Sequence, residues 1–137
     1  MNTGIILIWL WMLIFPRKAN TFRFLNSKPL WWALGGVYLS LLIGYGSKLD
    51  WIAMANPTYA GIAKLFAVPE VAAIAWIHLL IFDLLAGRLI LMHAARKNRV
   101  IRPFLVVTVM AGPLGVALYF LYDYLLDYRN PGKYNIL

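Results

Sequence analysis

The 137-residue chain contains no cysteine, which excludes disulfides, thiolate catalysis and cysteine-based zinc or iron–sulfur centres. It is poor in acid: five Asp and Glu stand against thirteen Lys and Arg, with only two His. There is no nucleotide-binding glycine loop and no cluster of metal-ligating residues, so no cofactor and no metal is expected. Charged residues make up 13% of the chain, about half the share usual in a soluble domain. No stretch is polar enough to form a second, soluble domain.

Apolar residues are abundant, at 63% of the chain with a strongly positive mean hydropathy, and this composition predicts an integral membrane protein. Four apolar segments, at 1–15, 30–45, 71–92 and 104–126, predict an all-α fold, a four-helix transmembrane bundle forming a single domain over 1–137. A crossing needs about 20 helical residues, which the last two segments supply. The first is expected to lean on Arg17 and Lys18 snorkelling at the interface, and the second to recruit Ser47 to Ile52. The opening segment lacks a basic n-region and a small-residue cleavage site, so it reads as a retained helix rather than a signal peptide.

The basic residues flank these segments. Arg17, Lys18, Arg23 and Lys28 follow the first, and Arg96, Lys97, Arg99 and Arg102 follow the third. Only Lys48 and Lys64 lie between the second and third, and Arg129 and Lys133 after the fourth. The positive-inside rule makes the first and third connections cytoplasmic and leaves both termini non-cytoplasmic. The net charge of +8 is thus expected to meet membrane lipids with anionic headgroups, not nucleic acid.

Between the second and third segments, Asn56, Pro57 and Thr58 signal a helix start, Ile62, Leu65 and Phe66 share one face, and Pro69 is expected to close the segment. A short interfacial helix over about 58–67 follows, either a lid over the bundle or a gate for a lipophilic ligand.

The third segment carries His78, Asp83 and Arg88 in otherwise apolar surroundings. A carboxylate at the centre of a spanning helix costs roughly 2.5–3.5 kcal/mol on insertion scales, so such a residue is a candidate functional site. Trp76, Asp83 and Gly87 fall on one stripe, while His78 points about 140° away from Asp83. His78 reads either as an interhelical hydrogen-bonding residue or as a proton-transfer group. Arg88 reads as a snorkelling anchor or a catalytic cation. Asp83 reads as an acid, or as a protonated carboxyl bonded to a neighbouring carbonyl. His93 belongs with the solvated basic residues.

In the fourth segment, Ala111-Gly112-Pro113-Leu114-Gly115 predicts a kink at Pro113 and close packing at the small residues. Freed carbonyls at membrane depth need an interior to satisfy them, so the break is expected to face the same interior as Asp83. Thr108, Tyr119 and Tyr38 are polar groups able to reach it. Asp123 and Asp127 are placed near the outer end, at the interface.

Several of these strings occur together in order: Leu65 to Glu70, then Trp76-Ile77-His78, Phe82-Asp83-Leu84, Gly87-Arg88 and Gly112-Pro113-Leu114-Gly115. With Phe15-Pro16-Arg17 and the region of Tyr38, they resemble the abscisic-acid-deficient-four family, whose plant members are needed for neoxanthin formation. The chain lacks the Ser- and Arg-rich transit peptide of a nucleus-encoded plastid protein, so a bacterial relative or a mature chain is expected, in a bacterial inner or photosynthetic membrane. The resemblance implies carotenoid metabolism and, as one activity, redox-neutral isomerisation of an epoxy-carotenoid. That reaction requires an acid and a base. Asp83 is the expected acid and His78 the expected base, with Arg88 beside them. Trp76, Tyr38, Thr108, Gly112, Pro113 and Tyr119 are the expected substrate-binding residues. The alternative is a non-catalytic pigment- or lipid-binding subunit of a larger, photosynthetic membrane complex.

Overall fold

The computed structural model describes residues 2–129; Met1 and residues 130–137, including Lys133, lie outside the described residues. All regular structure among the described residues is helical. The helices are α1 (Asn2–Ile14), α2 (Ala19–Leu25), α3 (Lys28–Tyr45), α4 (Trp51–Ala55), α5 (Tyr59–Ala67), α6 (Pro69–Arg96), α7 (Arg102–Ala111) and α8 (Pro113–Arg129), with a 3-10 turn at Gly46–Lys48. Two are long and apolar enough to cross a membrane: α3 with its 3-10 extension, at 21 residues, and α6, at 28. At 1.5 Å per residue they measure about 30 Å and about 40 Å, against a hydrocarbon core of about 30 Å. Helices α1 and α7 are apolar but shorter.

The described residues form two compact units. One is Ser27–Ile81; the other is built from the chain up to Asn26 and from Phe82 onwards, so that α6 contributes to both.

In the Ser27–Ile81 unit, α3 has Pro29 in its first turn, where a missing N–H is harmless, and buries no residue along its length. The expected extension through Ile52 stops early. The chain tightens into the 3-10 turn, Leu49 turns extended, and Asp50 caps a separate helix, α4, by accepting from Ala53 N at 2.9 Å. Thr58 caps α5 in the same way, accepting from Gly61 N at 3.0 Å, so the short helix expected at 58–67 forms where the capping signal lies. Pro69 opens α6 instead of closing the preceding segment. An ion pair between Lys48 and Glu70 links the exit of α3 to the entry of α6, closing the base of the α4–α5 excursion.

The other unit consists of two helical hairpins around the second half of α6. The first joins α1 and α2. Trp11 Nε1 donates to Thr21 Oγ1 at 2.8 Å, and that hydroxyl donates to Phe15 O at 2.8 Å. Trp9 and Met12 of α1 pack on Gly87, where an added Cβ would lie 2.6 Å from the Trp9 ring.

The second hairpin corrects the expectation of one kinked helix over 104–126. Gly112 has φ +27° and ends α7, and Pro113 begins α8 running back antiparallel. Phe104 packs on Tyr119 and Tyr122, with ring centroids 5.5 and 5.0 Å apart, and an added Cβ at Gly115 would overlap the backbone of Thr108. A proline alone bends a helix. Full reversal needs Gly112, which tolerates the left-handed region, and Gly115, which lets the two backbones meet.

This reversal also corrects the topology. Lys97 Nζ lies 2.8 Å from Asp123 and 2.6 Å from Asp127; Arg99 Nε lies 2.9 Å from Asp123, and its guanidinium also pairs with Asp127. Asp123 and Asp127 therefore sit at the same end of the unit as the α6–α7 loop, not at the opposite, outer end. The end of α1 lies there too, since Arg102 Nη2 donates to Ile14 O at 3.3 Å. The start of α1 and the end of α8 thus lie at opposite ends of the unit, which lends no support to the expectation of both termini on one side.

Candidate functional site

The chemistry-bearing residues separate into two groups. In the Ser27–Ile81 unit, an open pocket of about 400 Å³ is lined by Tyr38 of α3, His78 of α6 and apolar side chains that include Leu49, Met54, Ile62, Leu65, Phe66 and Ile74. The Asp50 and Thr58 caps start α4 and α5 at the positions that make these residues a wall, and α6 supplies Val71, Ile74, Ala75 and His78 from one face. The ring centroids of Tyr38 and His78 are 5.5 Å apart, tilted by 48°. Imidazole and phenol are the only titratable groups on the lining. The pocket thus offers an open apolar recess that carries an imidazole and a phenol side by side. Its volume falls within the range typical of small-molecule sites.

In the other unit, the half-buried Asp83 carboxyl lies directly against the hairpin tip: an added Cβ at Gly112 would overlap Asp83 Oδ1. Asp83 thus lies beside the helix break whose interior it is expected to share. Asp83 makes no ion pair among the described residues. Nearby on the same helix, Arg88 donates to Asn26 Oδ1 through Nε at 2.9 Å and Nη2 at 2.6 Å. That bond gives Arg88 an anchoring partner on the chain after α2.

Other expected substrate contacts are engaged elsewhere. Thr108 is fully buried and donates to Phe104 O at 2.7 Å. Tyr119, also fully buried, lies with its hydroxyl 2.8 Å from His93 Nδ1, so His93 is part of the packing and not simply solvated. Trp76 is 54% exposed and does not line the pocket, and Pro113 is exposed as the first residue of α8. Of the residues singled out from sequence, the structure brings together Tyr38 with His78, and Asp83 with Gly112.

Sequence reasoning missed Leu49 and Met54, which sit on the irregular excursion where no periodicity marks a face. It also missed the cluster of Lys97, Arg99, Asp123 and Asp127. The signal there was available: in a chain with five acids, two fall four residues apart on one helix, the spacing of a single face.

These features define a class: a small all-α protein with two membrane-length apolar helices and a lipophilic pocket bearing a phenol and an imidazole. The chain belongs to the ABA4-like family, described as ABA DEFICIENT 4-like, whose match covers residues 1–119. The family implies a role in carotenoid metabolism related to neoxanthin. The match includes Tyr38, His78, Asp83, Arg88 and the Gly112 tip, and stops before Asp123 and Asp127. No curated protein and no solved structure matches the chain.

Proposed function

We propose that the chain is a multi-pass membrane protein that isomerises the epoxide-bearing end group of a carotenoid, with the ring seated in the Tyr38–His78 pocket. The observation that carries this reading is the pocket itself, apolar throughout except for that one acid–base pair. Membrane embedding is supported by α3, which is apolar, of spanning length and without a buried residue, as expected of a helix whose solvent is lipid.

The reaction requires no electron transfer. Protonation of the epoxide oxygen breaks its bond to one ring carbon, and the oxygen stays on the other carbon as a hydroxyl. The positive charge left behind acidifies the C–H on the adjacent polyene carbon. Loss of that proton forms the new double bond of an allene, so substrate and product have the same mass. A weak base suffices once the epoxide has opened, which suits the imidazole of His78. Tyr38 is the acid within reach of the same pocket. The expectation from sequence takes Asp83 as the acid instead, and the two alternatives diverge for single variants. With Tyr38 as acid, Tyr38→Phe abolishes conversion and folded Asp83→Asn retains it; with Asp83 as acid, the results reverse.

The test is the pigment profile of carotenoid-producing cells with and without this chain. An isomer of unchanged mass that accumulates only with the chain supports the enzyme. Purified protein that carries stoichiometric, unconverted pigment favours a binding subunit.

A further inference from the structure

A second cavity, of about 560 Å³, opens where α1 ends and α7 begins. It is lined by Ile14, Phe15 and Pro16 with Arg17 and Lys18, and by Val100 and Ile101 with Arg102. Three cations and no carboxylate face one apolar-floored space. We propose that this cavity binds the phosphate of an anionic membrane lipid, with the acyl chains lying along the apolar surface of α1 and α7.

The charge pattern around the cavity carries the proposal. At this end of the unit, Lys97 and Arg99 are neutralised by Asp123 and Asp127. The three cavity cations have no such partner among the described residues. Arg17 Nη2 donates to Arg99 O at 3.2 Å and Arg102 Nη2 to Ile14 O at 3.3 Å. Each guanidinium is thereby fixed through one nitrogen, and its remaining N–H donors are left for a ligand. Lys18 Nζ stands 4.1 Å from the centre of the Phe15 ring, held over an apolar face with its three donors unspent on acid. A planar guanidinium suits a phosphate's paired oxygens. The cavity also lies where the apolar helices α1 and α7 meet the basic connections, the level of a lipid headgroup. Exposed Ile14 and Val100 border it and suit acyl chains better than water. The proposal rests on the membrane reading but not on the isomerase or its pocket.

The test is lipid retention by detergent-purified full-length protein, read by native mass spectrometry with phosphatidylglycerol or phosphatidylcholine added, and repeated with excess inorganic phosphate. Wild type is expected to retain phosphatidylglycerol but not phosphatidylcholine, and phosphate is expected not to displace it. In Arg17→Gln/Arg102→Gln the affinity should fall about thirtyfold, for two cations removed from the phosphate. Arg23→Gln/Lys28→Gln removes the same charge from residues that do not line the cavity and should retain lipid like wild type. Equal retention of both lipids, displacement by phosphate alone, or equal loss in the two double variants would overturn the site. Carbonate extraction of the same membranes reads the membrane reading separately: protein released by carbonate overturns that reading, whatever the lipid result.

Discussion

At the residue scale, the most constrained position is Gly112, which combines a positive φ with direct contact from Asp83. Gly112→Ala should lower stability by on the order of 2 kcal/mol through backbone strain and overlap. Adding Asp83→Ala removes the overlap and leaves the strain, so detergent thermal melts should show the double variant more stable than Gly112→Ala alone. Asp123 is the second such position. It is buried and faces buried Arg99, at 5% exposure. Asp123→Ala should cost about 1–3 kcal/mol, because buried Arg99 loses one charge-assisted partner while keeping Asp127; a loss well below about 1 kcal/mol in the same melts would mean that Asp127 and solvent compensate for Asp123.

The elements show what sequence could and could not reveal. Helix starts at Asp50 and Thr58 are legible because the cap is local, a side chain answering an N–H three residues on. The reversal at Gly112 is not, because Gly-Pro reads equally as a kink in a straight helix. What decides between them is Gly115 meeting Thr108, a contact made only once the chain has turned. His78 and Asp83 were legible as polar residues in an apolar helix, whereas the pocket beside His78 depends on Leu49 and Met54, placed by irregular chain. The α6–α8 clamp adds a pH dependence. Hydrogen bonds to Asp123 and Asp127 raise the pKa of Lys97 above the ordinary lysine value. Its stabilisation is therefore fully present below the unfolded pKa of about 10.4 and lost as pH rises through the higher folded value. The stability gap between wild type and Lys97→Met should hold from about pH 7 to 10 and close in stronger alkali. A gap unchanged at high pH would contradict the clamp.

For the whole molecule, the hairpin makes a topological claim that the absence of cysteine makes easy to test. Asn98, in the α6–α7 loop, and Arg129, at the end of α8, are both exposed at one end of their unit. Single cysteines introduced at the two positions should react with an impermeant maleimide from the same side of a sealed membrane. Reaction from opposite sides would restore the straight fourth crossing that hydropathy suggests. Sequence puts the basic connections after the first and third segments on one side, and in the structure Arg17 Nη2 reaches Arg99 O; flanking charge is a property of composition. The return of α8 to that end is not legible in the same way, because hydropathy counts apolar length and is blind to a one-residue reversal.

The central claim is that an apolar pocket with one imidazole and one phenol performs acid–base isomerisation. It is tested most directly by incubating purified wild type and His78→Gln with an epoxy-carotenoid and separating the pigments by chromatography with mass detection. The account predicts a new isomer of unchanged mass with wild type and at least about a hundredfold slower formation with His78→Gln, the usual scale for loss of a general base. Equal conversion by the two proteins would contradict it.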